Sequence, residues 1–386
     1  MLCRFEDRLQ GSMLELVDFS HRITAEAPEQ LATAFQEIEA AQAQGCWIAL
    51  LLDYELGEWL EPAVVLPSPP DAPSSQSAEA HVSRPRLTAL VYRHVRHAGI
   101  EPMPGADIAA AVTGTPVVQC RPGITRAAYM EHVEAIRAGI ARGDFYQTNY
   151  TFPIEVETNV APRDLYEAIA ARHPAAHSAY IEDGTRRLLS FSPELFIARC
   201  GARLTVRPMK GTAPRHTDPQ LDQQAADALL RSEKDRAENL MIVDLLRNDL
   251  GRVAIPGTVK VEALFTLERY PSVWTLTSTI TAQAPHATLE ALLRALFPCG
   301  SITGAPKIAA MQQIRQRETA TRGIYCGSIG WLAPNGDCSL NVAIRSIEMG
   351  SDGRGIFGVG GGIVHDSDPE LEWDECHWKA RILPTQ

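Results

Sequence analysis

Apolar residues recur along this chain with the two periods that distinguish helices from strands. Between Thr125 and Gly143 they recur every three or four residues, so they fall on one face of a helix. Thr125 is a suitable N-cap for that helix, and Gly143 suits its C-terminal end. The apolar positions of this predicted helix are Tyr129, Val133, Ile136 and Ile140.

Shorter apolar runs without helical spacing predict strands. The first predicted strand, at residues 46–52, is buried. Two further strands are predicted at residues 146–157 and 203–206. Pro208 is expected to end the third strand, and Gly211 permits a tight turn after it. The sequence therefore predicts Lys210 at a corner between a strand and a loop.

Two strand-like runs near the C-terminus, 327–333 and 338–348, flank Asn335-Gly336, which is a strong hairpin signal. A second turn at Asp352-Gly353 predicts a meander of antiparallel strands. In the second run, side-chain alternation points Arg345 away from the apolar face, into solvent or a cleft. The apolar face carries Leu340, Val342 and Ile344, and the other face carries Asn341, Ala343 and Arg345.

Together these elements predict an α+β fold with much antiparallel sheet, because the chain has no βαβ alternation and no glycine-rich dinucleotide-binding turn. Residues 66–86 are rich in Pro, Ser and Ala, which predicts a flexible loop or linker. This loop falls within an N-terminal region, 1–120, and the pattern strengthens in a second region, 121–386.

Composition narrows the range of functions. The 386 residues are 45% hydrophobic, which allows one large domain or two smaller ones. The net charge of -11 argues against binding nucleic acid or an anionic membrane, so an anionic ligand would need a locally positive site or a cation. No apolar stretch is long enough to span a bilayer, and no signal-peptide layout is present. The eight cysteines form no C-x-x-C pair, which predicts reduced thiols in a cytoplasmic protein.

Three groups of residues could carry chemistry, and each also has an ordinary structural explanation. Lys210 fits either a solvated surface lysine or a nucleophile whose surroundings remove its proton. Two acidic pairs at helical spacing fit either surface charges or a magnesium site, since ligands that are all oxygen favour that cation. The glycine-rich segments 300–307 and 358–362 fit either plain turns or ligand contacts. The acidic pairs are Asp235 with Glu238, and Glu372 with Glu375.

Over residues 120–382 the chain resembles the family of chorismate-utilising enzymes, whose fold is a large α/β sandwich of two stacked antiparallel sheets with outer helices. The similarity depends on many ordered motifs rather than on any one of them. These motifs are GDFYQTN at 143–149, SPELF at 192–196, RPMKGT at 207–212, residues 233–252, GSITGAPK at 300–307, RGIYCG at 322–327 and residues 358–379.

The resemblance implies roles for individual residues. Glu194 matches a general acid that protonates the departing hydroxyl of chorismate. Glu238 and Glu375 match the principal magnesium ligands, with Asp235 and Glu372 beside them. The residues that match substrate contacts are Gln147, Thr212, Thr303, Gly304, Tyr325, Arg345, Gly360, Gly361, Gly362 and Lys379.

Two positions separate the branches of this family. Relatives that add water carry lysine where this chain has Gln147, and relatives that make anthranilate carry alanine where it has Lys210. A lysine at 210 resembles the branch that makes 4-amino-4-deoxychorismate for 4-aminobenzoate and folate synthesis, where the lysine is thought to attack the ring.

The resemblance also implies a partner. The sequence has no G-x-C-x-G glutaminase segment, so ammonia is expected from a separate glutamine amidotransferase subunit or from free ammonium. The alternatives are anthranilate synthesis in the tryptophan pathway, which Lys210 opposes, and a catalytically inactive partner subunit. The joint presence of Glu194, Glu238 and Glu375 argues against inactivity.

Overall fold

A computed structural model describes residues 1–65, 84–100, 118–184, 186–270 and 273–384. Most of the loop predicted at 66–86 lies outside these ranges. Its last residues, 84–86, are described, and they lead into a strand that begins at Leu87. Within the described ranges, none of the helices combines the length and the apolar character needed to cross a membrane.

The described ranges contain nine α-helices and eighteen β-strands. The helices are α1 Leu31–Ala43, α2 Leu56–Leu60, α3 Arg126–Arg142, α4 Pro162–Arg172, α5 Pro219–Arg231, α6 Glu233–Gly251, α7 Leu289–Leu296, α8 Lys307–Arg317 and α9 Pro369–Ala380. The strands are β1 Leu2–Asp7, β2 Ser12–Ala25, β3 Trp47–Leu52, β4 Leu87–Gly99, β5 Gln119–Pro122, β6 Gln147–Glu157, β7 His177–Glu182, β8 Arg187–Ser192, β9 Leu195–Cys200, β10 Arg203–Arg207, β11 Met209–Pro214, β12 Lys260–Arg269, β13 Val273–Gln283, β14 Gly304–Ala305, β15 Ser328–Leu332, β16 Cys338–Asn341, β17 Ser346–Met349 and β18 Arg354–Ile363.

The elements with strong local signals are confirmed. Helix α3 is capped by Thr125, whose Oγ1 accepts a hydrogen bond from the Ala128 N–H at 3.3 Å. It ends at Gly143, which has a φ of 83° in the left-handed region. Strands β3, β6 and β10 occur where the apolar runs predicted them, and β15 and β16 form the hairpin predicted around Gly336.

The single strand predicted for 338–348 is wrong. The run divides into β16 and β17, and the chain turns between them at Arg345, which has a φ of 50°. Strand β16 pairs with β9 whereas β17 pairs with β8, so the two C-terminal hairpins do not form one meander. Ala343, predicted opposite the apolar face, is completely buried among apolar residues. Alternation failed here because each short strand follows a different neighbour.

All strand pairs are antiparallel and join into one continuous ladder. Its order is β5–β6–β18–β17–β8–β7–β1–β2–β4–β3–β15–β16–β9–β10–β13–β12, with β14 also paired to β6 and β11 to β13. Strands β1 and β3 pair with β7 and β15, so the N-terminal strands belong to the same ladder as the later ones.

The two halves of the ladder enclose a shared apolar core, and helices cover their outer faces. Alternate residues of β3 show this arrangement. Ala49 and Leu51 belong to the inner cluster, which also includes Ile181 of β7, whereas Leu50 packs outward with α1, α6 and α7. Helices α3, α4 and α9 cover the other half. The α+β sandwich with outer helices is therefore confirmed.

Candidate active site

Most of the predicted site residues line one cleft of about 240 Å³. The cleft lies between β11, β18 and the first turns of α6, and α9 closes one side. A larger cavity of about 1000 Å³ lies elsewhere, and Tyr325 is the one predicted residue on its wall. The predicted residues on the wall of the smaller cleft are Glu194, Lys210, Thr212, Asp235, Glu238, Tyr325, Arg345, Gly360, Gly362, Glu372, Glu375 and Lys379.

Four predicted substrate contacts lie behind the cleft wall rather than on its surface. Gln147 is fully buried behind Gly362, where an added Cβ would lie 2.4 Å from its Nε2. The Thr303 hydroxyl donates to the Cys299 carbonyl at 2.7 Å. The two remaining glycines pack against neighbours: a Cβ on Gly304 would meet the Gln147 carbonyl oxygen, and one on Gly361 would meet Glu372 Oε2.

Lys210 reaches the cleft from a β-bulge, which corrects the predicted strand-to-loop corner. Met209 pairs with Thr277 and Thr212 with Thr275, so two residues, Lys210 and Gly211, stand opposite one on β13. Gly211 has a φ of 84°, a conformation that favours glycine. Pro208 separates β10 from β11 by one residue only, because strand pairing with β13 resumes at Met209.

Glu194 lies in the turn between β8 and β9 and is only 3% exposed. The Ser301 hydroxyl donates to its Oε1 at 2.6 Å. Burial raises the pKa of the Glu194 carboxyl to about 7, although hydrogen bonding from Ser301 and the nearby Lys210 ammonium both oppose that rise. Near neutral pH this side chain can therefore hold a proton and release it.

Acidic side chains from α6 and α9 share one wall of the cleft. Burial raises the pKa of Glu238, and burial and the neighbouring Glu375 raise that of Glu372. Glu375 behaves oppositely, because the Lys379 ammonium at 2.7 Å lowers its pKa. In the part of the chain that the structure describes, no three His, Cys, Asp or Glu side chains are arranged to hold a metal ion.

Arg345 is a cation on the wall without a close acidic partner. No carboxylate lies within 4.0 Å of its guanidinium among the described residues, and the uncharged Tyr270 side chain is nearby. Burial lowers the pKa of its guanidinium. A desolvated arginine without a carboxylate favours binding of an anionic ligand.

Several cleft residues received no role from the sequence. Asn149 and Ser301 lie inside motifs that were recognised only as a whole, so nothing singled them out. Thr275 reaches the wall through strand pairing, and its hydroxyl donates to the Gly211 carbonyl at 3.0 Å. Lys234 follows Ser232, the N-cap of α6, and its position in the first turn beside Asp235 was the one available signal.

The comparisons with known proteins agree on one family. Residues 4–384 match the family described as chorismate binding enzyme. Aminodeoxychorismate synthase component 1 of Salmonella typhimurium is 45% identical over 264 residues, which cover 67% of this chain and 58% of that protein. Anthranilate synthase component 1 of Streptomyces coelicolor is 37% identical over 293 residues, covering 72% of this chain and 57% of that protein. The chain thus spans less than two thirds of the length of these relatives.

Solved structures share the fold. Anthranilate synthase component I from Streptococcus pneumoniae superimposes with a TM-score of 0.80 at 23% sequence identity, over 98% of this chain and 91% of that one. At this identity the similarity concerns the fold alone. The sandwich and its cleft are thus an architecture found in other proteins.

Proposed function

Because the chain belongs to the chorismate binding enzyme family, we propose that it converts chorismate and ammonia into 4-amino-4-deoxychorismate, the precursor of 4-aminobenzoate. The relatives named aminodeoxychorismate synthase component 1 support this activity. The observation that carries the proposal is that Lys210 and Glu194 face the same cleft.

These two residues divide the substitution into two steps. The Lys210 ammonium first loses a proton to solvent. Its neutral amine then forms a bond to ring C2, the two ring double bonds shift, and the C4 hydroxyl leaves as water with the proton of Glu194. Ammonia then bonds to C4, the double bonds return, the bond between C2 and Lys210 breaks to restore the free amine, and the new C4 ammonium returns a proton to Glu194. Nucleophilic catalysis of this kind replaces one difficult displacement by two easier ones. Glu194 suits the acid role because burial raises its pKa to about 7, so that it can hold a proton and donate it near neutral pH.

The substrate carboxylates have candidate partners on the cleft wall. Arg345 offers an unpaired guanidinium, and Tyr325 and Thr212 offer hydroxyl groups. Lys379 is close to Gly360, whose carbonyl accepts from its Nζ at 2.8 Å. These donors would orient the ring so that C2 faces Lys210 and the C4 hydroxyl faces Glu194.

The acidic wall suits a magnesium ion by the chemistry of its donors, although no three of its carboxylates converge on one point among the described residues. Glu238 and Glu375 would hold the ion, with Asp235 and Glu372 beside them, and all four offer oxygen ligands. The raised pKa values of Glu238 and Glu372 reflect burial and crowding of acids that a cation would relieve. When bound, magnesium would supply positive charge for a substrate carboxylate.

Ammonia would come from a separate glutamine amidotransferase subunit, as the words "component 1" in the relatives' names suggest. Gln147 supports ammonia over water as the nucleophile. Its buried amide is neutral, so it cannot act as the base that water would require.

The deciding experiment is incubation of the chain with chorismate, magnesium and ammonium, followed by identification of the product. We expect a compound that aminodeoxychorismate lyase converts to 4-aminobenzoate. Formation of anthranilate would refute the proposed branch. Absence of turnover, even with the amidotransferase subunit present, would instead indicate an inactive subunit.

A further inference from the structure

A chain of buried hydrogen bonds runs behind Glu194. Cys299 Sγ lies 3.2 Å from Ser301 Oγ, which in turn lies 2.6 Å from Glu194 Oε1. All three residues are at most 5% exposed. The general acid proposed above is therefore attached to the turn at 299–301, although that turn is more than 100 residues away in sequence.

The Ser301 hydroxyl fixes the direction of this chain, because its hydrogen is donated to Glu194 Oε1. Burial raises the pKa of Cys299 to about 12, so its sulfur keeps a hydrogen that it can donate. Ser301 Oγ lies within reach of that hydrogen, 3.2 Å from Cys299 Sγ. Because a hydroxyl has one hydrogen, Ser301 accepts from Cys299 and donates its own hydrogen to Glu194.

We propose that Ser301 is a positioning residue, which with Cys299 behind it holds Oε1 of Glu194 as an acceptor and so places the acid's transferable proton on Oε2. A protonated carboxyl has one hydrogen, and an oxygen that accepts from Ser301 leaves that hydrogen on the other oxygen. This inference rests on the proposed function, since it concerns how the same acid is held.

Other groups around Glu194 do not replace this contact. The Lys210 ammonium approaches from β11, together with the Met209 N–H, and both favour the carboxylate. The Cys326 thiol lies on another side, and its pKa is raised by burial, so it is uncharged at neutral pH. Among these groups Ser301 is the neutral side-chain donor bonded to a carboxyl oxygen.

The test is a pH profile of chorismate consumption for Ser301→Ala and Cys299→Ala. The pH at which the rate falls reports the pKa of Glu194. Loss of a hydrogen bond that favours its carboxylate should raise this pKa by about one to two units in Ser301→Ala, and by about half a unit in Cys299→Ala. In Ser301→Ala the kcat should fall about tenfold at low pH, with little change in KM. Ser301→Thr keeps the hydroxyl and should restore the profile.

Ser328→Ala is the matched control, because Ser328 is 1% exposed and its hydroxyl donates at 2.6 Å to the Asn341 carbonyl, outside the cleft. Ser328→Ala should lose about as much unfolding free energy as Ser301→Ala, but its pH profile should match that of the wild type. An equal shift in Ser328→Ala, or an unchanged profile in both Ser301→Ala and Cys299→Ala, would overturn the positioning role.

A second readout does not depend on turnover. The infrared C=O stretch of the protonated Glu194 carboxyl, assigned by difference from Glu194→Gln, can be titrated in the wild type and in each variant. The same pKa rise should appear there. If the wild type did not consume chorismate, the proposed function would fail while this titration still decided the role of Ser301. Superimposable titrations of wild type and Ser301→Ala would refute the positioning role of Ser301.

Discussion

Glu194 shows how burial alone can prepare a residue for catalysis. Its pKa of about 7 lies above the ordinary value of 4.5 because the folded chain removes water from the carboxyl. We expect loss of this proton to lower kcat/KM for chorismate as the pH rises above about 7. Measurement of initial rates from pH 5 to 9 tests this.

The matched variant for that profile is Glu194→Gln, which keeps the shape but cannot donate a proton to the leaving hydroxyl. It should lose at least about a hundredfold in kcat/KM, and its profile should lose the limb near pH 7. Stability gives a second check. The protonated carboxyl stabilises the wild type fully below about pH 4.5, and this contribution is lost as pH rises through about 7. A wild-type rate that stayed constant to pH 9 would contradict the assignment.

In the proposed mechanism, Lys210 decides the branch of the reaction rather than binding of the substrate. Lys210→Ala should lower formation of 4-amino-4-deoxychorismate by about a thousandfold or more, because the covalent route is lost. Chorismate affinity, measured by calorimetry, should change little, since Arg345 and the acidic wall are untouched. Lys260→Ala, on an exposed position of β12, is the control. Unchanged turnover in Lys210→Ala would remove the covalent role.

Residue types in this site could be predicted from the sequence, but their surroundings could not. The motif around Lys210 identified the side chain, yet the bulge that aims it depends on pairing with β13. Similarly, the SPELF motif identified Glu194, whereas its contact with Ser301 joins segments more than 100 residues apart. Contacts of this kind arise from tertiary packing, which local patterns do not encode.

At the scale of elements, predictions that depend on local sequence were right, and those that depend on distant pairing partners were wrong. Helix α3 was predicted correctly because Thr125 and Gly143 supply its caps from the adjacent sequence. The break between β16 and β17 was missed because it depends on β9 and β8, which pair with one strand each. The bend at Arg345 then brings that guanidinium to the cleft.

Strand β18 passes close behind Lys210, so a substitution in this strand tests how the lysine is held. A Cβ on Gly362 would lie 2.4 Å from Gln147 Nε2 and 3.1 Å from Lys210 Nζ. Gly362→Ala should therefore displace the ends of two side chains and lower kcat about a hundredfold, as expected for a shift of about 1 Å at a reacting group. Turnover assays and urea denaturation measure the two effects separately.

Gly143→Ala is the control for that variant. No atom would lie within 4 Å of its new Cβ, but its φ of 83° disfavours alanine. It should cost about 1 kcal/mol in unfolding free energy and leave turnover unchanged. Equal turnover in Gly362→Ala and the wild type would show that β18 does not constrain Lys210.

At the scale of the whole molecule, the proposed function requires an acidic protein to bind an anion in a cleft that is itself rich in acids. The protein has a net charge of -11, and the proposed substrate, with two carboxylates, must enter a cleft lined by five acidic side chains. The folded chain brings four cations, Lys210, Lys234, Arg345 and Lys379, to the same cleft from separate parts of the sequence. These cations are opposed by the acidic wall, so a bound cation would complete the charge balance.

This balance leads to a prediction that joins α6 and α9. If Glu238 on α6 and Glu375 on α9 hold magnesium, the ion should stabilise the folded protein by about 2.7 kcal/mol at a concentration one hundred times its Kd. Urea denaturation with and without magnesium measures this, and chelation should abolish turnover. Glu238→Gln and Glu375→Gln should each lose most of the stabilisation. Asp374→Asn, an exposed neighbour on α9, should keep it. A wild-type midpoint that did not respond to magnesium would contradict the metal site and leave the cleft's own cations, Lys210, Lys234, Arg345 and Lys379, to balance the charge of the proposed substrate.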